Sequence, residues 1–141
     1  MLKQLRCVLG WTMPALTSLL FFGMLTSTRV SLAQGIPITI SLKPTTIAPG
    51  GSIVANMTAY LPDFGINLTD SILTWVWPDG TVDTYSNTTP QFGPGLFALT
   101  QTATSALSQL PGDGSATYTA KGTDFYGTWT LHATEAFTVT L

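Results

Sequence analysis

The residues of this 141-residue chain that could do chemistry are few. All three asparagines stand in the pattern that accepts an N-linked glycan: Asn56-Met57-Thr58, Asn67-Leu68-Thr69 and Asn87-Thr88-Thr89. A glycan must project into solvent. Asn67 and Asn87 fall in expected loops, and Asn56 lies on the outward face of its expected strand by parity. The three are therefore candidate glycosylation sites. The lone histidine, His132, is placed by parity opposite Leu131, on the solvent side of a late strand. Asp79 and Asp83 straddle the turn Pro78-Asp79-Gly80, where the first aspartate serves to cap the turn. No nucleophile–base pair and no carboxylate ladder with calcium spacing can be read from these residues. The expectation is a non-enzyme with no catalytic residue, no metal and no cofactor.

The aromatic residues form a second set. Trp75 and Trp77 share a strand face, while Phe125, Tyr126 and Trp129 cluster around the last hairpin. Neighbouring strands are lined with small residues such as Ala55 and Ala59, so large rings are needed to fill a core. A ring left at a sheet end would instead stack on a sugar, which makes Trp77, Phe125, Tyr126 and Trp129 the candidates for ligand stacking. A third set is Ile36, Ile38, Ile40 and Leu42, one apolar face of a strand close to the expected start of the exported part. Such a strand pairs within its own sheet or is donated to the open edge of a neighbour.

These residues sit behind an export segment. Met1 to Arg6 is short and basic, Cys7 to Thr28 carries no charge, and Ser31-Leu32-Ala33 offers small residues for a cut before Gln34. The expectation is a signal peptide over 1–33 with a signal helix, cleaved, the rival being an uncleaved anchor of 22 uncharged residues. From residue 34 onward the chain has two lysines (Lys43 and Lys121), no arginine, no cysteine and seven acids, a formal charge of −5. A chain so poor in cations does not neutralise a phosphate backbone, so nucleic acid is excluded as a partner. Without a thiol there is no disulfide and no thiolate chemistry.

The elements that must position these residues are strands. Thr, Val, Ile and aromatics alternate between Pro/Gly turns over residues 34–141, one domain by length. Strands are expected over Ile36–Leu42, Ser52–Tyr60, Ser71–Trp77, Thr81–Tyr85, Leu96–Thr104 and Ala116–Ala120. A last strand or strand pair is expected between Trp129 and Leu141. Ser86–Gly95 reads as loop. Seven or eight short strands with regular turns predict an all-β, antiparallel sandwich.

Several stretches resemble immunoglobulin-like domains of secreted proteins. Pro49-Gly50-Gly51-Ser52-Ile53 is similar to the entry of their second strand, and Trp75 in Leu73-Thr74-Trp75-Val76 to their core tryptophan. Gly112 through Ala120, with Tyr118, resembles the approach to their sixth strand. Phe125-Tyr126-Gly127-Thr128-Trp129 leading into Ala136-Phe137-Thr138-Val139 resembles their final hairpin. Met57 and Ala120 stand where antibody domains carry their disulfide, so the resemblance is to the disulfide-free class. It implies a Greek-key sandwich acting as an extracellular or cell-surface structural or adhesive module, a glycoprotein that associates with protein partners or with itself. A filament subunit assembled by strand donation is one form of that role. The alternative is a module that binds cell-surface polysaccharide through exposed aromatics. Membrane contact is expected only through the N-terminal segment, if uncleaved.

Overall fold

The computed structural model describes residues 35–141. The signal helix, the cut before Gln34 and the alternative anchor fall on residues outside that range. Within it the protein is all-β. In chain order the strands are β1 (Ile38–Lys43), β2 (Thr46–Ile47), β3 (Ser52–Leu61), β4 (Asn67–Val76), β5 (Val82–Asn87), β6 (Gln91–Phe92), β7 (Gly95–Thr104), β8 (Gly112–Asp124) and β9 (Gly127–Val139). One sheet has the order β1-β3-β7, and the other β2-β9-β8-β4-β5, with β6 added to the start of β4. All pairings are antiparallel except β2 beside β9.

Alternation dictates which face is buried. On β3, Ile53, Ala55, Met57, Ala59 and Leu61 are buried, as the period of two predicts. Leu73 and Trp75 on β4, Tyr118 and Ala120 on β8, and Trp129, Phe137 and Val139 on β9 face them in one apolar cluster. The small side chains of β3 meet large rings from the other sheet. Trp75 and Trp77 stack with centroids 6.0 Å apart, and Phe137 stands edge-on to Trp77 at 5.2 Å. The outward faces carry hydroxyl pairs across neighbouring strands, including Ser52 with Thr104 at 2.7 Å and Thr117 with Thr134 at 2.9 Å. The abundant threonines therefore work on the solvent side, where cross-strand hydroxyl pairs add modestly to pairing.

Several strand boundaries differ from the sequence reading, β5 for one running to Asn87 rather than Tyr85. β4 starts at Asn67, because the register shifts between Leu68 and Asp70. Leu68 and Ser71 are both buried although three residues apart, so the bulge hides the strand's beginning from a period of two. β8 starts at Gly112, inside a Gly-Asp-Gly stretch whose composition reads as a turn. β9 is one strand of 13 residues, with Glu135 on its inward side. Its carboxylate accepts the backbone N–H of Leu42 at 3.1 Å, joining the edges of the two sheets. Within the expected loop Ser86–Gly95, β6 pairs with Asn67 and Leu68.

The chain changes sheet between β1 and β2. Pro44 has no N–H to continue the ladder of β1, and the following residues join β9, with Thr138 N–H donating to Thr45 C=O at 2.8 Å. This seals one flank. On the other flank β7 and β5 are both free edges.

Candidate functional site

Strand directions sort the loops to two ends. Ile38 pairs with Ala59, Leu61 with Gly95, and Asn67 with both Phe92 and Thr123. One end therefore gathers the start of β1, the loop 62–66, β6, the start of β7 and the turn 125–126. The opposite end holds the turns 48–51 and 78–81, the connection 105–111 and the C-terminus, since Val139 pairs with Gly112.

The first end is rich in exposed aromatics. Phe125 and Tyr126 form the two-residue turn of the β8–β9 hairpin and are 81% and 78% exposed. Phe64, at the centre of the 62–66 loop, is 80% exposed. Phe92 and Leu96 are also exposed, with Tyr60 directly across from Leu96. The turn is held by Asp124, whose carboxylate accepts the N–H of Tyr126 at 2.7 Å. Gly65 has φ +82°, and a Cβ there would lie 2.8 Å from the Phe125 ring, so glycine allows both the turn and the ring above it. Two acid–aromatic–glycine turns, Asp63-Phe64-Gly65 and Asp124-Phe125-Tyr126-Gly127, thus come together. That repeat was the signal in the sequence for Phe64. Phe92, Leu96 and Tyr60 join the surface only through strand pairing.

Of the four stacking candidates, the structure leaves Phe125 and Tyr126 on the surface and puts Trp77 and Trp129 in the core. Both tryptophans are 4% exposed and offer no ring face to a ligand, which corrects the expectation for them. Trp77 donates its Nε1–H to Asp83 at 2.7 Å. Trp129 lies against Gly122, where any Cβ would collide with its ring and with the Asn67 carbonyl. Its Nε1–H is buried without a protein partner. Small residues on β3 and a glycine on β8 drew both rings inward.

Asn56 is exposed on the outer face of β3, its side-chain carbonyl accepting from Thr100 Oγ1 at 3.0 Å. Asn67 and Asn87 are half-buried strand residues rather than loop residues. Asn87 accepts the N–H of Thr89 at 2.9 Å. Ile36, Ile38, Ile40 and Leu42 face the core, and β1 is paired with β3 over six residues. His132 is exposed, with Nδ1 2.9 Å from Thr119 Oγ1.

A shallow cleft of about 110 Å³ opens on the free flank between the sheets. Phe97 and Leu99 of β7, Leu68 and Ser71 of β4, and Asn87 line it, with Tyr118 at its floor. The Tyr118 hydroxyl is 3.1 Å from that of Ser71 in a buried pair. Burial pushes the Tyr118 phenol above its ordinary pKa, and the Ser71 hydrogen bond opposes the rise. The hydroxyl and N–H of Thr81 hold the Asp79 carboxyl below the usual carboxylate range. Among the described residues, no three His, Cys, Asp or Glu side chains come together as a metal site.

No family model matches the chain, and no curated protein does. Among solved structures it is similar to the Pseudomonas fluorescens alkylpurine DNA glycosylase AlkC, determined bound to DNA containing an abasic site analog. The TM-score is 0.53 at 10% identity, over 75% of this chain and 30% of that one. The sporulation control protein Spo0M from Bacillus subtilis is a more distant match, with TM-score 0.44 at 9% identity, over 74% of this chain and 48% of that one. The chain spans less than half the length of either neighbour. At this identity the likeness to the glycosylase concerns the fold alone.

Proposed function

We propose that this protein is an exported, non-catalytic immunoglobulin-like module that acts at the cell surface or outside the cell by binding through its aromatic loop end. The observation that carries the reading is the surface formed by Phe64, Phe125 and Tyr126, all at least 78% exposed on one end of the two-sheet body. Solvent-exposed aromatics gathered in one place mark interaction sites. Strand order supports the immunoglobulin-like assignment. With the two-residue β2 and β6 set aside, β1, β3 and β7 take the places of the first, second and fifth strands, and β4, β8 and β9 those of the third, sixth and seventh. The sheet switch at Pro44 and the extra strand β5 beside β4 are compatible with that Greek key.

Export rests on the N-terminal segment, whether it is cut before Gln34 or remains as an anchor. Donation of Ile36, Ile38, Ile40 and Leu42 to a neighbour would require β1 to leave β3. The free edge of β7 is therefore the better place for association by strand pairing. Polysaccharide binding is the second reading, favoured by Phe125 and Tyr126 beside the Asp124 carboxylate at a hairpin tip.

The test begins with protein recovered from outside the cytoplasm of its host, and intact mass reports both cleavage and glycans at Asn56, Asn67 and Asn87. Binding to intact cells and to insoluble polysaccharides is then compared with that of Phe125→Ser/Tyr126→Ser. Loss of binding with an unchanged unfolding midpoint is expected. Retention of the protein in the cytoplasm, or binding indifferent to both substitutions, overturns the reading.

A further inference from the structure

The same loop end has a second property that bears on its partner. The backbone enters the described fold there: the Pro37 carbonyl accepts from Tyr60 N–H at 3.1 Å, next to the Tyr60–Leu96 pair. Immediately before it lies the uncharged run Cys7–Thr28. Only six residues, Arg29 to Gln34, separate that run from Gly35. Even fully extended, they and the bonds flanking them reach roughly 25 Å. The C-terminus is at the opposite end, with Leu141 fully in solvent.

From this placement we infer that the loop end of the chain that keeps residues 1–33 rests on the bilayer its N-terminal run enters, with Phe64, Phe125 and Tyr126 in the interfacial layer. The inference rests on the export reading of residues 1–33 and names the partner of the proposed binding surface. A tyrosine ring favours the headgroup boundary, where its apolar area is buried while its hydroxyl stays hydrated, and Phe64 and Phe125 add apolar area to the same layer. Turn geometry suits that depth. Phe64 and Phe125 project from tight turns whose acids, Asp63 and Asp124, are one residue back along the chain. Those two carboxylates also choose the lipid. Although the full chain carries a net charge of only −2 and Arg29 follows the uncharged run, Asp63 and Asp124 stand beside the exposed rings themselves, so an anionic surface repels this end. A zwitterionic one does not.

The experiment uses the full chain with Cys7→Ser, which removes its one cysteine. A single nitroxide is placed through Phe125→Cys, Phe64→Cys or, at the far end, Leu107→Cys, where the native leucine is also highly exposed. Each protein is reconstituted into phosphatidylcholine vesicles, and collision of the label with oxygen and with a water-soluble nickel chelate is measured. The expected result is co-flotation with the vesicles, with nickel access at positions 64 and 125 at least fivefold lower than at 107. Two tip positions guard against one substitution disturbing its own turn. Co-flotation with equal nickel access at all three positions overturns the inference and leaves the export reading standing. Failure to float overturns both. A label at 125 shielded by soluble polysaccharide but not by vesicles also overturns it and gives the surface to a glycan.

Discussion

The buried hydroxyl pair of Ser71 and Tyr118 is the polar contact at the floor of the side cleft, and its phenol titrates late because burial disfavours the phenolate. A pKa raised above the unfolded value contributes stability that is complete below about pH 10 and is lost as pH rises through the folded-state pKa. Tyr118→Phe is expected to cost about 1–2 kcal/mol at pH 7, because it leaves the Ser71 hydroxyl buried without a partner. The same substitution flattens the alkaline loss. Urea unfolding at pH 7 and across pH 9–12 checks both, and an alkaline limb as steep as that of the native protein refutes the assignment. Asp79 works in the other direction. Its carboxyl is held low by Thr81, so its contribution is present above the unfolded carboxylate pKa and lost as pH falls through the folded value. Asp79→Asn should therefore shallow the acid limb below about pH 4 while leaving the alkaline limb untouched. The effect is small, since the group is at the surface. Asp79 as a turn cap was legible from Pro78-Asp79-Gly80, whereas nothing in the sequence pairs residue 71 with 118.

Among the elements, β7 stands apart. Its ten residues contain no charge and no proline, and one edge is unpaired. Proteins usually guard such an edge with lysine, proline or a bulge. The other flank is closed by β2 on β9 and by Glu135 reaching the Leu42 N–H. The remaining free edge, β5, contains Asp83. Association through strand edges is therefore expected at β7. Gln101→Lys, on its half-buried inward side, should raise the concentration at which light scattering first reports self-association by at least threefold, with little change in unfolding midpoint. An unchanged onset would exclude β7 as the pairing edge. The existence of β7 was readable from alternation. That its far edge is bare was not, because edge status depends on which other strands pair, and these pairings join residues far apart in sequence.

For the whole molecule, stability comes from large rings of one sheet filling the space above small residues of the other. Phe137 stands edge-on to both Trp75 and Trp77 and is 2% exposed. Phe137→Ala should cost about 3–5 kcal/mol, measured by urea unfolding of the intact chain. Since a domain of this size commonly has 5–15 kcal/mol in total, the variant is expected to be marginal at 37 °C. A loss under about 1 kcal/mol would mean that the core closes over the cavity, contrary to its dense packing.

Composition and a period of two were sufficient for the all-β class, for the buried faces of β3 and the centre of β4, and for the outward placement of Asn56 and His132. Local preferences decide those features, and local preferences are written along the chain. Tertiary structure decided which rings are core, Trp77 and Trp129 among them, and it alone brought Phe92 and Leu96 onto a surface with Phe125. Parity assigns a side chain to a face but not to a depth. Depth depends on what lies against the ring, here the small residues of β3 in the opposite sheet and, for Trp129, the bare backbone of Gly122 directly across from it in its own sheet.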